Sequence, residues 1–124
     1  MINYTGTNKI IVCGSREFND YKFLKDKLNF YLKDLGKIEI VSGCAKGPDT
    51  LAIGYAEEYG YKLWRFPPDW KHFGNSAGMV RNKMMAEFST HCIAFWDGKS
   101  TGTHNMIKVA QDMKLKVRLI KIDA

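Results

Sequence analysis

Four short segments hold most of the residues with chemical potential. The first is Gly14-Ser15-Arg16 and the second runs Ser42-Gly43-Cys44-Ala45-Lys46-Gly47-Pro48-Asp49. Asp69-Trp70 follows Pro67-Pro68, and Asp97-Gly98-Lys99-Ser100-Thr101-Gly102-Thr103 forms the last. Glycine lets backbone N–H groups come close to an anion and adopt positive φ. A helix that starts after such a loop adds unpaired N–H groups and about half a positive charge. Ser15, Ser42, Ser100, Thr101 and Thr103 bring hydroxyl donors, while Arg16, Lys46, Arg81 and Lys99 can neutralise phosphate. Arginine can do so through two parallel hydrogen bonds. Asp49 suits the hydroxyls of a ribose, and Trp70, Phe73 or Trp96 the face of a base. Together these residues describe a site for a phosphate-bearing, nucleotide-like ligand.

A single Gly-rich turn is usually only a turn, and Asp49 also suits the first turn of any helix. Met79, Met84 and Met85 read as core rather than as a binding stripe. The dinucleotide spacing G-x-G-x-x-G and the P-loop G-x-x-x-x-G-K-[ST] are both absent. Neither hydride transfer with NAD nor Mg²⁺-dependent ATP hydrolysis is therefore expected, and no cofactor is implied. His72, His91 and His104 are scattered, and no Cys/His cluster has zinc spacing, so no metal site is expected.

The position of the loops gives them weight. Lys9–Cys13, Ile38–Ser42, Tyr61–Phe66, His91–Trp96 and Val117–Ile122 read as five short strands rich in β-branched and aromatic residues. Between them lie apolar residues at helical spacing. Asn19 or Asp20 caps the first helix, which carries Tyr21, Leu24, Leu28, Tyr31, Leu32 and Leu35 and stops at Gly36. Pro48 opens the second, whose buried stripe is Leu51, Ala52, Tyr55, Ala56 and Tyr59, closed by Gly60. A long loop runs through Trp70 and Gly74. The third helix then starts near Ser76 or Ala77, with Val80, Met84, Met85 and Phe88 inward. Thr103 caps the fourth, with Met106, Ile107, Ala110 and Met113 inward. Strand–helix alternation implies a parallel sheet of about five strands with helices on both faces and right-handed crossovers. Ligands bind such sheets outside the carboxyl ends of the strands. All four unusual loops fall at that edge.

The chain of 124 residues fits one domain, residues 1–124, with residues 1–8 as a loose tail. Hydrophobic residues make up 45%, so a core can form without staples. No apolar run approaches a membrane span, and no leader precedes the first strand, which favours the cytoplasm. The cysteines Cys13, Cys44 and Cys92 do not suggest a disulfide framework. Cys13 and Cys92 sit in apolar runs, as buried thiols do. A net charge of +6 suits anionic partners, nucleic acid among them, although the basic residues are spread along the chain.

The motifs together resemble the SLOG superfamily, which joins the DNA-processing protein A fold, the Lonely Guy enzymes and the YspA-like proteins. The likeness is to the small YspA-like branch. It rests on Gly14-Ser15-Arg16, Gly43-x-Ala45-Lys46-Gly47-x-Asp49, Pro68-Asp69-Trp70, Gly74-x-x-Ala77-Gly78-x-x-Arg81-Asn82 and Gly98-x-x-x-Gly102-Thr103, and it spans Lys9 to Ile122. The resemblance implies a Rossmann-like, doubly wound α/β fold and a nucleotide or nucleotide-derived ligand at the strand ends. Gly43, Ala45, Gly47, Asp69, Asn82, Asp97, Gly98 and Gly102 join the ligand-binding set. Lonely Guy enzymes cleave the N-glycosidic bond of nucleoside monophosphates with an Arg on the third helix and a Glu after the Gly-Thr. Arg81 matches that Arg, whereas His104 and Asn105 stand where the Glu is expected, and Asp97-Gly98-Lys99 replaces the Pro-Gly-Gly opening. If the chain is an enzyme, Arg81 and Asp49 are its catalytic candidates, with Glu17 a further carboxylate. The readings are thus a nucleotide-binding sensor or processing protein, an N-glycosidase acting on nucleotides, and a binder of single-stranded nucleic acid. The resemblance also implies a homodimer or higher homo-oligomer, with Met and Tyr residues of the second and third helices at the interface.

Overall fold

A computed structural model describes residues 6–123. Within that span five parallel strands form one sheet in the order β3-β2-β1-β4-β5. The elements are β1 (Asn8–Gly14), α1 (Tyr21–Leu32), β2 (Ile38–Ser42), α2 (Pro48–Tyr59), β3 (Lys62–Arg65), α3 (Trp70–Phe73), α4 (Ala77–Phe88), β4 (His91–Trp96), α5 (Thr101–Asp112) and β5 (Lys116–Lys121). A 3₁₀ turn, Gly74–Ser76, joins α3 to α4.

Side chains of a strand alternate between faces, and this sheet is covered on both. Ile10, Val12, Ile40, Ile93 and Phe95 pack with Leu24 and Leu28 of α1 and Ala52 and Tyr55 of α2. Ile11, Cys13, Val41, Cys92 and Ala94 pack with Met85 and Ala86 of α4 and Met106, Ile107 and Ala110 of α5. Each fully buried Leu, Ile or Phe contributes about 1.5–3 kcal/mol. β1 lies at the centre, so the loops after β2 and β4 flank its C-terminal end.

The doubly wound α/β architecture matches the sequence reading, and several boundaries move. β1 includes Asn8, whose backbone N–H donates to Lys37 O at 2.8 Å. Only residues 1–5 of the expected tail lie outside the described residues. Helix α1 stops at Leu32, the last fully buried position, rather than at Gly36. Leu35 N–H turns back to Leu32 O at 3.1 Å, which leads Lys37 to its pairing with Asn8. The expected loop through Trp70 contains α3, capped by Asp69, whose Oδ1 accepts from His72 N–H at 3.1 Å. Ser100, not Thr103, is the N-cap of α5. The Asp97 carboxylate accepts from Lys99 and Ser100 N–H at 2.8 and 2.9 Å and starts the helix earlier.

Met79 and Met84 are exposed, contrary to their reading as core; of the three methionines only Met85 is buried. The inward side of α4 is Ala77, Asn82, Met85 and Ala86, which turns the other two outward. Tyr59 and Met113 also leave the expected buried stripes, at the final turn of α2 and just beyond α5.

Candidate functional site

Three loops meet at the end of β1. Gly14 lies so close to Phe95 O and to Pro48 Cγ (2.6 Å from a built Cβ) that no side chain fits there. Ser15 N–H donates to Phe95 O at 2.9 Å, and Ser15 Oγ accepts from Asp97 N–H at 2.9 Å, tying the first loop to the one after β4. Gly47, at φ +86°, brings the second loop against Ser15 O. Within that second loop Ser42 Oγ donates to Asp49 O at 2.9 Å and accepts from Cys44 N–H at 3.1 Å.

Above this junction lies a cleft of about 830 Å³. Gly14, Arg16, Ala45, Lys46, Asp49, Trp70, Arg81, Asn82, Ser100, Thr101, Gly102 and Thr103 line it, all of them expected from the sequence. Cys13, Cys44, Pro67, Pro68, Gly78, Met85 and Met106 complete the lining and were not expected there. Cys44 adopts φ 65°, a left-handed conformation uncommon outside glycine; that feature has no signal in the sequence beyond its Gly-rich surroundings.

The other expected residues stand behind the cleft. Ser15, Ser42 and Asp97 spend their side chains on loop structure, and Asp69 caps α3. Gly47 and Gly98 (φ 84°) shape turns, and Lys99 is exposed beside them. Gly43 provides space: a built Cβ there would sit 2.6 Å from Arg81 Nη1 and 2.8 Å from Asp49 Oδ2. Trp96 does not line the cleft; its Nε1 donates to Ser100 O at 3.0 Å and its ring stacks on His104. Glu17 is exposed and also outside the lining.

Asp49 and Arg81 flank Gly43. Asp49 is buried, and burial raises its pKa to about 6, against the pull of Arg81 and of the Ala45 and Gly43 N–H groups. Arg81 donates from Nη1 to Gly43 O and from Nε to Asn82 Oδ1 (2.9 Å). Asn82 is buried and donates from Nδ2 to Asn105 Oδ1 at 2.8 Å and to Gly102 O at 3.4 Å. The first amides of α5, those of Thr101, Gly102 and Thr103, have no acceptor within their own helix and belong to the cleft wall. Asp97 is held below the usual carboxylate range by the N–H groups of Lys99 and Ser100, so those two amides are already engaged. The cleft therefore combines a buried acid, three cations (Arg16, Lys46 and Arg81) and a helix N-terminus.

A family profile described as "YspA, cpYpsA-related SLOG family" matches residues 8–73, more than half of the chain. The chain belongs to that family. The match covers the three SLOG loops after β1, β2 and β3, while Arg81, Asn82 and the α5 loop lie beyond it. The chain is also similar to the "Gene 61 protein" of Mycobacterium phage D29, 28% identical over 117 residues, which are 88% of this chain and 93% of that protein. Among solved structures it resembles DNA processing protein A (DprA) from Streptococcus pneumoniae, with a TM-score of 0.71 and 22% identity over 90% of this chain. That likeness shows the fold alone, and the chain spans half the length of the DprA chain. Among the described residues no helix is long and apolar enough to cross a membrane.

Proposed function

We propose that the cleft binds a nucleotide or nucleotide-derived ligand, with the chain acting as a sensor or a nucleotide-processing protein. The observation that carries this reading is the placement of Arg81 and the α5 N-terminus around one cleft with Asp49. In this reading Thr101–Thr103 N–H groups and the Arg16 and Lys46 side chains hold phosphate, Asp49 accepts from ribose hydroxyls, and Arg81 stands between them. SLOG membership supports nucleotide-related ligands in general. The test is thermal shift and calorimetry against nucleoside phosphates and ADP-ribose derivatives. A ligand at one hundred times its Kd should stabilise the fold by about 2.7 kcal/mol. No stabilisation at millimolar ligand would overturn the reading.

A hydrolytic reading rests on Asp49, whose raised pKa is that of a group able to exchange a proton near neutrality. Release of free base from nucleoside monophosphates, abolished in Asp49→Ala and Arg81→Ala with the fold intact, is its test. Single-stranded nucleic acid is a third reading, since Trp70 is 60% exposed in the same basic cleft. Its test is binding that weakens steeply with salt.

Homo-oligomer formation belongs with these proposals. Of the residues expected at the interface, Met79 and Met84 are exposed on α4 and Tyr59 on α2, on opposite sides of the sheet. Sedimentation of the wild type and of a Met79→Glu, Met84→Glu variant tests the α4 side.

A further inference from the structure

A second cavity of about 240 Å³ opens beside the cleft. It shares Pro67 and Arg81 with the cleft, so one guanidinium stands at the boundary of both. Phe66 and Phe73 come from the segment after β3, and Val80 and Met84 from α4. These walls are apolar, yet Phe73 and Met84 remain 44% and 49% exposed, so packing has not filled the space. The polar side chains around it are Arg65, Asp69 and Arg81. An apolar slot with a few polar groups is what a flat heterocycle requires.

We infer that this small cavity is the base subsite of the ligand held in the cleft, and that it favours guanine. The inference rests on the nucleotide reading above. Arg81 is fixed by Gly43 O and Asn82 Oδ1, so it marks where a sugar-phosphate in the cleft passes to a base beyond it. Of the other aromatic candidates, Trp96 is occupied by Ser100 O and His104, and Trp70 lines the cleft rather than this cavity. The preference among bases follows from the polar pair. A carboxylate only accepts and a guanidinium only donates. Guanine presents N–H donors at N1 and N2 beside the O6 acceptor, which suits Asp69 together with Arg65. Adenine would turn its N1 lone pair toward the carboxylate. Asp69 uses Oδ1 to cap α3, and its Oδ2 lies 3.5 Å from His72 Nδ1, so Oδ2 is the atom that would accept from the base.

Calorimetry of the full chain with ribose 5-phosphate, GMP and AMP tests this. The wild type should bind GMP at least tenfold more tightly than ribose 5-phosphate, and more tightly than AMP. Val80→Trp, which fills the cavity, should remove that gain and leave ribose 5-phosphate within twofold. Met84→Trp, checked by circular dichroism, repeats the test should Val80→Trp fail to fold. Asp69→Asn keeps the helix cap and should bring GMP and AMP to parity. Unchanged GMP affinity in the folded cavity-filling variants would overturn the subsite. Equal GMP and AMP affinity in the wild type would overturn the guanine preference. Failure of all three probes to bind, ribose 5-phosphate included, would instead overturn the nucleotide reading itself.

Discussion

Asn82 donates to Asn105 at 2.8 Å and so fastens α4 to α5. The same Asn82 accepts from Arg81 Nε through Oδ1 and reaches Gly102 O through Nδ2. One buried amide therefore aligns the guanidinium with the helix N-terminus opposite. Asn105 stands where the Lonely Guy likeness leads one to expect a carboxylate, and its observed work is to receive this bond.

Asn82→Ala should cost about 1–3 kcal/mol, because it leaves Asn105 and Arg81 Nε without their partner in a partly buried site. Asn105→Ala should cost less, since Asn82 keeps Gly102 O. Urea denaturation of both variants measures the order. Equal losses would show that the bond between the two amides, rather than the whole Asn82 network, sets the stability.

Stability should depend on pH through Asp49. Its folded pKa, about 6, lies above the unfolded value of 3.8. The folded state therefore binds more protons between those values, and this group's contribution to stability falls as pH rises through the window. Asp49→Asn should be more stable than the wild type at pH 8 by up to about 3 kcal/mol, with the difference vanishing below pH 4. Thermal melts across pH 4–8 check the sign. The same variant should lose affinity for ribose-containing ligands if Asp49 holds the sugar.

Two glycines should fail in different ways. Gly14→Ala places a Cβ against the Phe95 backbone and Pro48, neither of which can yield, so roughly 1–3 kcal/mol of stability should go. Gly43→Ala meets the ends of two side chains, Arg81 and Asp49. Those can yield only by giving up hydrogen bonds that hold them in the site, so the fold should survive while nucleotide binding weakens at least tenfold. A melting curve and a titration for each variant separate the two cases.

Arg16→Ala and Lys46→Ala should weaken binding of a phosphate ligand and flatten its salt dependence. Both side chains are exposed at the cleft, so stability should change by no more than about 0.5 kcal/mol. Titrations at two ionic strengths decide this.

Much of the fold was legible because buried parallel strands leave a local mark. The apolar runs Ile10–Cys13 and Cys92–Phe95 stop at loops rich in glycine, and Pro48 and Gly60 bound α2 closely. Helix α3 left no such mark, since four residues are too few for a period and only the Asp69 cap betrays it. The ends of α1 and α5 depend on partners distant in sequence or on an Asx turn, Lys37 with Asn8 and Asp97 with Ser100. The edge on which the site lies was readable from loop composition. Which residues face the cleft was not, because Ser15, Ser42 and Asp97 carry the same polar groups as true lining residues. Only the hydrogen bonds show that these side chains are spent on backbone groups of the loops.

The riveting of Gly47 against Ser15, and of Ser15 to Phe95 and Asp97, bears on how fast a ligand can arrive. Three loops drawn from separate stretches of chain are locked together by their own backbone and side-chain contacts. Their ordering entropy is spent during folding and need not be spent again on association. Ligand capture should then follow a single concentration-dependent phase, without a slower unimolecular step in stopped-flow traces, and residence time rather than entry should distinguish one nucleotide from another.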